Sequence, residues 1–188
     1  MANAWKRIRK WYESHVSAPP YPEFFDWGHP ASDADLDALE KNLGLAFPDD
    51  LRDTYKVYDG DNKQDILPGG YFMALSEVKT TWEMFKEPVD QGAFNDADAN
   101  PKGPIKQRWW NTKWIPVLHN GGGDYHCVDM DPDKRGTMGQ LIKFQHETGP
   151  SHVVAPSFGD FVTGFANKLE AGVYEFDTQK GTVRLATD

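Results

Sequence analysis

Cysteine is nearly absent: Cys127 stands alone among 188 residues, which excludes an internal disulfide and a multi-cysteine zinc site. Long apolar runs are missing too. No window approaches the roughly 18 uninterrupted apolar residues of a membrane-spanning helix, and the N-terminus has charges without the apolar core or cleavage site of a signal peptide. Positive charge is scarce. Against 29 Asp and Glu there are only 20 Lys and Arg, and a net charge of -9 would repel phosphates over most of the surface. Nucleic acid is therefore not expected as a partner, whereas basic proteins are. Neither an internal repeat, a low-complexity tract nor a linker separates two cores. The expectation is one soluble domain in a reducing cytoplasm.

Aromatic residues are what the chain has in plenty: 7 Trp, 11 Phe and 7 Tyr supply more large buried surface than a disordered chain carries, so a packed core is expected. Charge is distributed unevenly. Residues 1–16 hold four Lys and Arg against one Glu, whereas residues 33–65 hold ten Asp and Glu against four Lys and Arg. That local balance of -6 predicts an acidic face.

Trp5, Ile8, Tyr12 and His15 recur at helical spacing among Lys6, Arg7, Arg9 and Lys10, which predicts an amphipathic basic helix over 3–15. Pro19, Pro20 and Pro22 must stop it and mark a hinge. Residues 1–31 accordingly read as a basic helix with a Pro-rich connector, and 32–188 as the main domain with an insertion near 88–108. Ser32 with Asp35 forms a variant capping box ahead of Leu36, Leu39 and Leu43, and Gly44 closes that helix. Pro48 opens a third helix, with Asp49 and Asp50 at its positive end and Leu51, Tyr55 and Tyr58 on its apolar side. A fourth is expected to be capped by Ser76, lined by Val78, Trp82 and Phe85, and ended by Pro88. Short strands are expected at 71–73, 114–118, 125–130 and 140–145, the last three as an antiparallel meander. A helix from Ser157 to Gly172 and a hairpin of 173–176 with 182–185 complete the pattern. The class is α+β, a single domain whose antiparallel or mixed sheet is flanked by helices.

Trp114-Ile115-Pro116-Val117, Asn120-Gly121-Gly122-Gly123-Asp124-Tyr125, Cys127-Val128-Asp129-Met130-Asp131-Pro132 and Gly139-Gln140-Leu141-Ile142 together resemble the SUKH superfamily. Phe47-Pro48-Asp49-Asp50-Leu51-Arg52 upstream and Val153-Val154-Ala155-Pro156-Ser157-Phe158 downstream continue the pattern, which covers residues 32 to 170. That superfamily includes the fungal Smi/Knr regulators of cell-wall synthesis and many bacterial immunity proteins. The resemblance implies an α+β domain that has no catalytic constellation to carry over and acts by binding.

Several motifs suggest chemistry and fail on spacing. Asp129, Asp131 and Asp133 alternate like the first ligands of a calcium loop, but Lys134 stands where that loop needs Gly and Gln140 where it needs Glu. The Gly121-Gly122-Gly123 run enters a strand instead of opening a helix and lacks the Lys-Ser/Thr of a phosphate loop. His126 and Cys127 are adjacent in a strand, so their side chains diverge, and Cys127 reads as a small core residue. Gly149 and Pro150 forbid the helix that a zinc site at His146-Glu147 would need. Trp109, Trp110 and Trp114 beside Lys106, Arg108 and Lys113 read as a core wall or as an aromatic-basic recognition patch.

No catalytic residue, metal or cofactor is expected. The resemblance implies, first, an immunity protein that neutralises a basic toxin domain in the cytoplasm and, as the alternative, a regulatory scaffold in cell-wall synthesis. The partner is expected on one acidic face made by Asp49, Asp50, Asp53, Asp124, Asp129, Asp131 and Asp133, with Trp109 and Trp114 as a second patch. The oligomeric state is open.

Overall fold

A computed structural model describes residues 1–16 and 27–186. The expected hinge at residues 18–22 lies outside the described residues. Helices α1 (Ala2–His15), α2 (Asp33–Leu43), α3 (Asp49–Tyr55), α4 (Leu75–Asp90) and α5 (Phe158–Glu170) surround a five-stranded sheet. That sheet is built from β1 (Tyr71–Phe72), β2 (Trp114–His119), β3 (Tyr125–Asp129), β4 (Gln140–Gln145) and β5 (Gly149–Ala155), neighbours in chain order and antiparallel throughout. A separate hairpin, β6 (Tyr174–Asp177) with β7 (Thr182–Leu185), closes the fold. Among the described residues no helix is long and apolar enough to cross a membrane.

Local chemistry explains the helix ends. The Ser32 hydroxyl accepts the Asp35 N–H at 3.1 Å, and Gly44 leaves α2 in the left-handed conformation (φ 65°) that a side chain would strain. At α4 the start falls one residue before the expected cap. Leu75 N–H donates to the Asp59 carboxylate at 2.7 Å and Ala74 N–H to Glu77 at 3.0 Å, so carboxylates from outside and inside the helix replace the Ser76 hydroxyl. Pro88 does not end α4. It removes one N–H from the last turn, while the Glu87 and Pro88 carbonyls accept the N–H groups of Gln91 and Ala93 and carry the chain onward.

The sheet is covered on both faces. Tyr125, Phe144 and Trp114 point toward α4, where Phe85 stacks on Trp110 at 4.0 Å and meets Tyr125 and Phe144 edge-on at 5.7 and 5.5 Å. The opposite face meets α1, α3 and α5 through Phe72, whose ring lies 5.9 Å from Trp5, 4.8 Å from Tyr55 and 5.5 Å from Phe158. With both faces covered, strands β2 and β3 are buried almost residue by residue.

The basic N-terminal helix is part of this core. Trp5, Ile8, Trp11 and Tyr12 are buried in one cluster with Leu36, Tyr55 and Phe158, and each such side chain contributes on the order of 1.5–3 kcal/mol of transfer free energy. The Tyr12 hydroxyl donates to the Ile66 carbonyl at 2.8 Å. Strand β5 departs from the expected meander by adding a fourth run to it. Its ladder with β4 shifts register twice, so no period of two survives in its sequence.

Candidate functional site

Two ends of strand β3 divide the acidic residues. Asp124 precedes the strand and Asp129 closes it, which separates them by about 17 Å of extended chain. They cannot share one contact face with the turn at 131–133.

At the closing end, the register sets Trp114 opposite Asp129 and Asp129 opposite Gln140. The three side chains form one row beneath α4. Asp129 has no exposed surface, and its carboxylate accepts Trp114 Nε1–H, Gln140 Nε2–H and Asp131 N–H, each at 3.0 Å. Burial pushes this carboxyl above the ordinary range, and the three donors only partly oppose it. Asp129 and Trp114 are therefore corrected from partner contacts to interior structure, because neither side chain reaches the surface. Asp131, half-buried, is held by Lys106 and by Asn111 Nδ2–H at 3.0 Å. The Lys106 bond leads the causes that hold its carboxyl below the ordinary range. It braces the loop before β2 against the turn after β3.

Asp124 is likewise engaged. Burial raises its pKa, but hydrogen bonds from His146 Nδ1 (2.9 Å) and His146 N–H (3.1 Å) outweigh that and leave it below the ordinary value. Opposite it across the turn, a Cβ on Gly70 (φ +133°) would collide with the His119 carbonyl, so β1 can approach β2 only through a glycine. Asp50 accepts the Gly159 N–H at 2.7 Å and thereby ties α3 to the first turn of α5. Trp109 is half-buried and stacks on Phe94 at 6.3 Å, while Trp110 and Trp114 are buried, so the indole cluster is a core wall with one accessible member.

Of the carboxylates expected on a partner face, Asp49 and Asp53 on α3 and Asp133 on the 130–139 turn are exposed. Arg52 bridges Glu40, Asp37 (2.9 Å) and Asp33 (3.3 Å), and Lys56 adds a second contact to Asp33 at 2.6 Å. This hub holds the two helices in a fixed ridge. Asp49 and Asp53 stand exposed on it with no hydrogen bond or ion pair to another described residue. Pro48, at the head of α3, lies against Gly139, where an added Cβ would come within 3.3 Å of its ring. That contact brings the ridge beside the 130–139 turn, which presents exposed Asp133 and Met138, the latter 67% exposed. Sequence reasoning did not select Arg52 or Met138. The i, i+4 and i+7 spacing of Asp33, Asp37 and Glu40 facing one arginine was a usable signal for the first; an exposed methionine leaves none.

Cys127 and His126 do not form a nucleophile–base pair. Cys127 lies opposite Pro116 and Ile142, His126 opposite Leu118 and Lys143, hence on opposite faces of the sheet. Burial raises the Cys127 thiol pKa and lowers that of His126 to about 4, so each is held in its neutral form at pH 7.

Comparison with known proteins agrees with this architecture. Residues 30–164 match the model of the SMI1 / KNR4 family (SUKH-1). The "Glucan synthesis regulatory protein" of Neurospora crassa is 26% identical over 224 residues, covering 98% of this chain and 41% of that protein. The "Cell wall biosynthesis/cell cycle regulator smi1" of Schizosaccharomyces pombe is 25% identical, over 98% of this chain and 39% of its own length. For the "Cell wall assembly regulator SMI1" of Saccharomyces cerevisiae the identity is 23%, over 90% of this chain and 40% of that protein. The chain thus spans less than half the length of these relatives. All three are named as regulators, which speaks for the regulatory alternative over immunity to a toxin.

Proposed function

The chain belongs to the SMI1/KNR4 family, and from that premise we propose that it is the folded recognition module of a cytoplasmic regulator of cell-wall assembly, acting by binding a protein and not by chemistry. The observation that carries the reading is the match of nearly the whole chain to proteins named as regulators of glucan synthesis and wall assembly. The geometry supports a binding role. Asp49 and Asp53 are exposed carboxylates on a ridge fixed by Arg52, and the neighbouring 130–139 turn adds exposed Asp133 and the adaptable apolar contact of Met138. Such a surface suits a partner with a basic patch, whose approach it accelerates at low salt. Asp50 and Asp131 act behind it, tying α3 to α5 and the turn after β3 to the loop before β2.

A chimera tests this. In Saccharomyces cerevisiae, the matching region of its relative is replaced by this chain, and growth is scored under a wall-perturbing dye. The chimera is expected to restore growth, and the same chimera with Asp49→Lys, Asp53→Lys and Asp133→Lys is expected to fail while remaining folded and abundant. Equal rescue by both would remove the ridge from the function; failure of the unsubstituted chimera, folded and abundant, would count against the regulatory reading.

A further inference from the structure

The outer edge of the sheet is guarded along only part of its length. Strand β5 is the last strand, and one residue of the preceding loop pairs with it from outside: Lys102 forms a parallel bridge with His152, and Lys102 N–H donates to the Ser151 carbonyl at 2.6 Å. In a parallel ladder the next N–H from that loop comes two residues on. That residue is Pro104, which has no N–H, so the Val153 carbonyl receives nothing from it. The loop then turns away. The Pro104 carbonyl instead accepts Asp133 N–H at 3.1 Å and Gln140 Nε2–H at 3.0 Å, which pins the loop to the 130–139 turn.

This departure opens a groove of about 350 Å³, floored by Val153, Val154, Ala155 and Pro156 and walled by Pro104 and Arg135. The three floor residues Val153 to Ala155 are half-buried, apolar and bounded by main chain. The four floor residues span about 13 Å, the length of a four-residue strand. Arg135 gives its wall a cation. Residues 101–113 hold Lys102, Lys106, Arg108 and Lys113 and no carboxylate, and the exposed Arg135 lines the groove with exposed Lys134 next to it in the chain. Lys106 is taken by Asp131, whereas Lys102, Lys134 and Arg135 make no ion pair with a described residue. Asp133 precedes them in the chain as an exposed carboxylate, and exposed Asp160 lies on the other side of Val154 and Ala155.

We propose that this groove receives an extended acidic segment of a protein partner, which adds a strand to the free end of β5 and sets its carboxylates against Arg135, Lys134 and Lys102. Main-chain pairing supplies the affinity, the apolar floor takes alternate side chains, and the cations select the sign of the others. The site is opposite in charge to Asp49 and Asp53 of the α2–α3 ridge. It stands whether or not the protein acts in wall assembly, since the test uses the purified chain alone.

The probe is a fluorescein-labelled, end-blocked peptide, Glu-Val-Glu-Val-Glu-Val, titrated with the intact chain at low and high salt and read by fluorescence anisotropy. Two control peptides accompany it, one with Lys for Glu and one with alternate backbone nitrogens methylated so that they cannot donate. The acidic peptide is expected to bind at least about tenfold more tightly than either control, and Arg135→Glu with Lys134→Glu, both on exposed and unpaired side chains, to weaken it by about tenfold. Amide exchange of residues 153–155 is expected to slow when the peptide is bound. Equal binding of the methylated peptide would overturn strand addition; indifference to the two reversals would overturn the charge selection; and no binding at millimolar peptide would overturn the proposal whole.

Discussion

Asp129 and Asp49 are the same side chain in two regions that use it in opposite ways. In the interior row below α4, fixed N–H donors from Trp114, Gln140 and Asp131 surround the carboxylate and leave no room for anything else. On the α2–α3 ridge, Arg52 and Lys56 gather some acids while Asp49 and Asp53 face water. The difference lies in what satisfies the charge. Donors built into a sheet bind the carboxylate to the fold; mobile cations and solvent leave it available to a partner.

The contrast breaks most sharply at Asp129. Asp129→Ala removes the shared acceptor of two buried donors and one part-buried donor and is expected to cost about 3–5 kcal/mol, measured by urea unfolding. A loss below about 1 kcal/mol would mean that the row tolerates water and is not an interior site.

Asp61 extends the comparison to pH. It is buried and accepts N–H groups from Gln64 (3.3 Å) and Ile66 (3.2 Å), yet burial still lifts its pKa to about 6. A carboxyl raised above its unfolded value binds its proton more tightly when folded. Its contribution to stability is therefore complete below the unfolded pKa near 4 and is lost as pH rises through about 6. Against Asp61→Asn, the wild-type protein should gain on the order of 2–3 kcal/mol in relative stability at pH 4 compared with pH 7, read from paired unfolding curves. A difference independent of pH would place Asp61 with the exposed acids.

The ridge should respond more weakly. Arg52→Ala removes contacts to three partly solvated acids, and a loss of about 1–2 kcal/mol is expected, with Arg52→Lys recovering only part because a single ammonium cannot span them. Asp49→Ala and Asp53→Ala should change stability by less than about 0.5 kcal/mol. A larger loss from either would show that it supports the fold and is not free for recognition.

This contrast also explains what the sequence could reveal. Helix ends were legible at Ser32 and Gly44, because a cap is a local bond between residues three or four apart. The helix-lined meander followed from turn residues and alternating runs. Asp129 and Asp133 look alike in sequence, however, and their fates diverge because strand register puts Trp114 beside the first and solvent beside the second. Register between strands is a non-local property that spacing does not encode. The same holds for α1: its apolar stripe predicted a helix, whereas its place in the core depends on α5, far along the chain. Strand β5 escaped notice for a third reason, since its bulges erase the alternation that identifies a strand.

The pairing of α1 with α5 also has a meaning in time. Arg7 donates to Glu170 at 2.9 Å and to Asn167 at 2.7 Å, across 163 and 160 residues of chain. At synthesis rates of about 5–20 residues per second, the first helix therefore waits roughly 8–30 s for its partner. During that interval Trp5 can meet Tyr58 and Phe72, but the side of α1 that faces α5 stays open, and the nascent chain offers that surface to a chaperone at the ribosome exit. Chains stalled before residue 158 should leave α1 open to protease, and chains extended far enough to release residue 170 should not; equal protection in both would mean that α1 docks before α5 is made. Helix α1 thus completes its packing only after α5 is made.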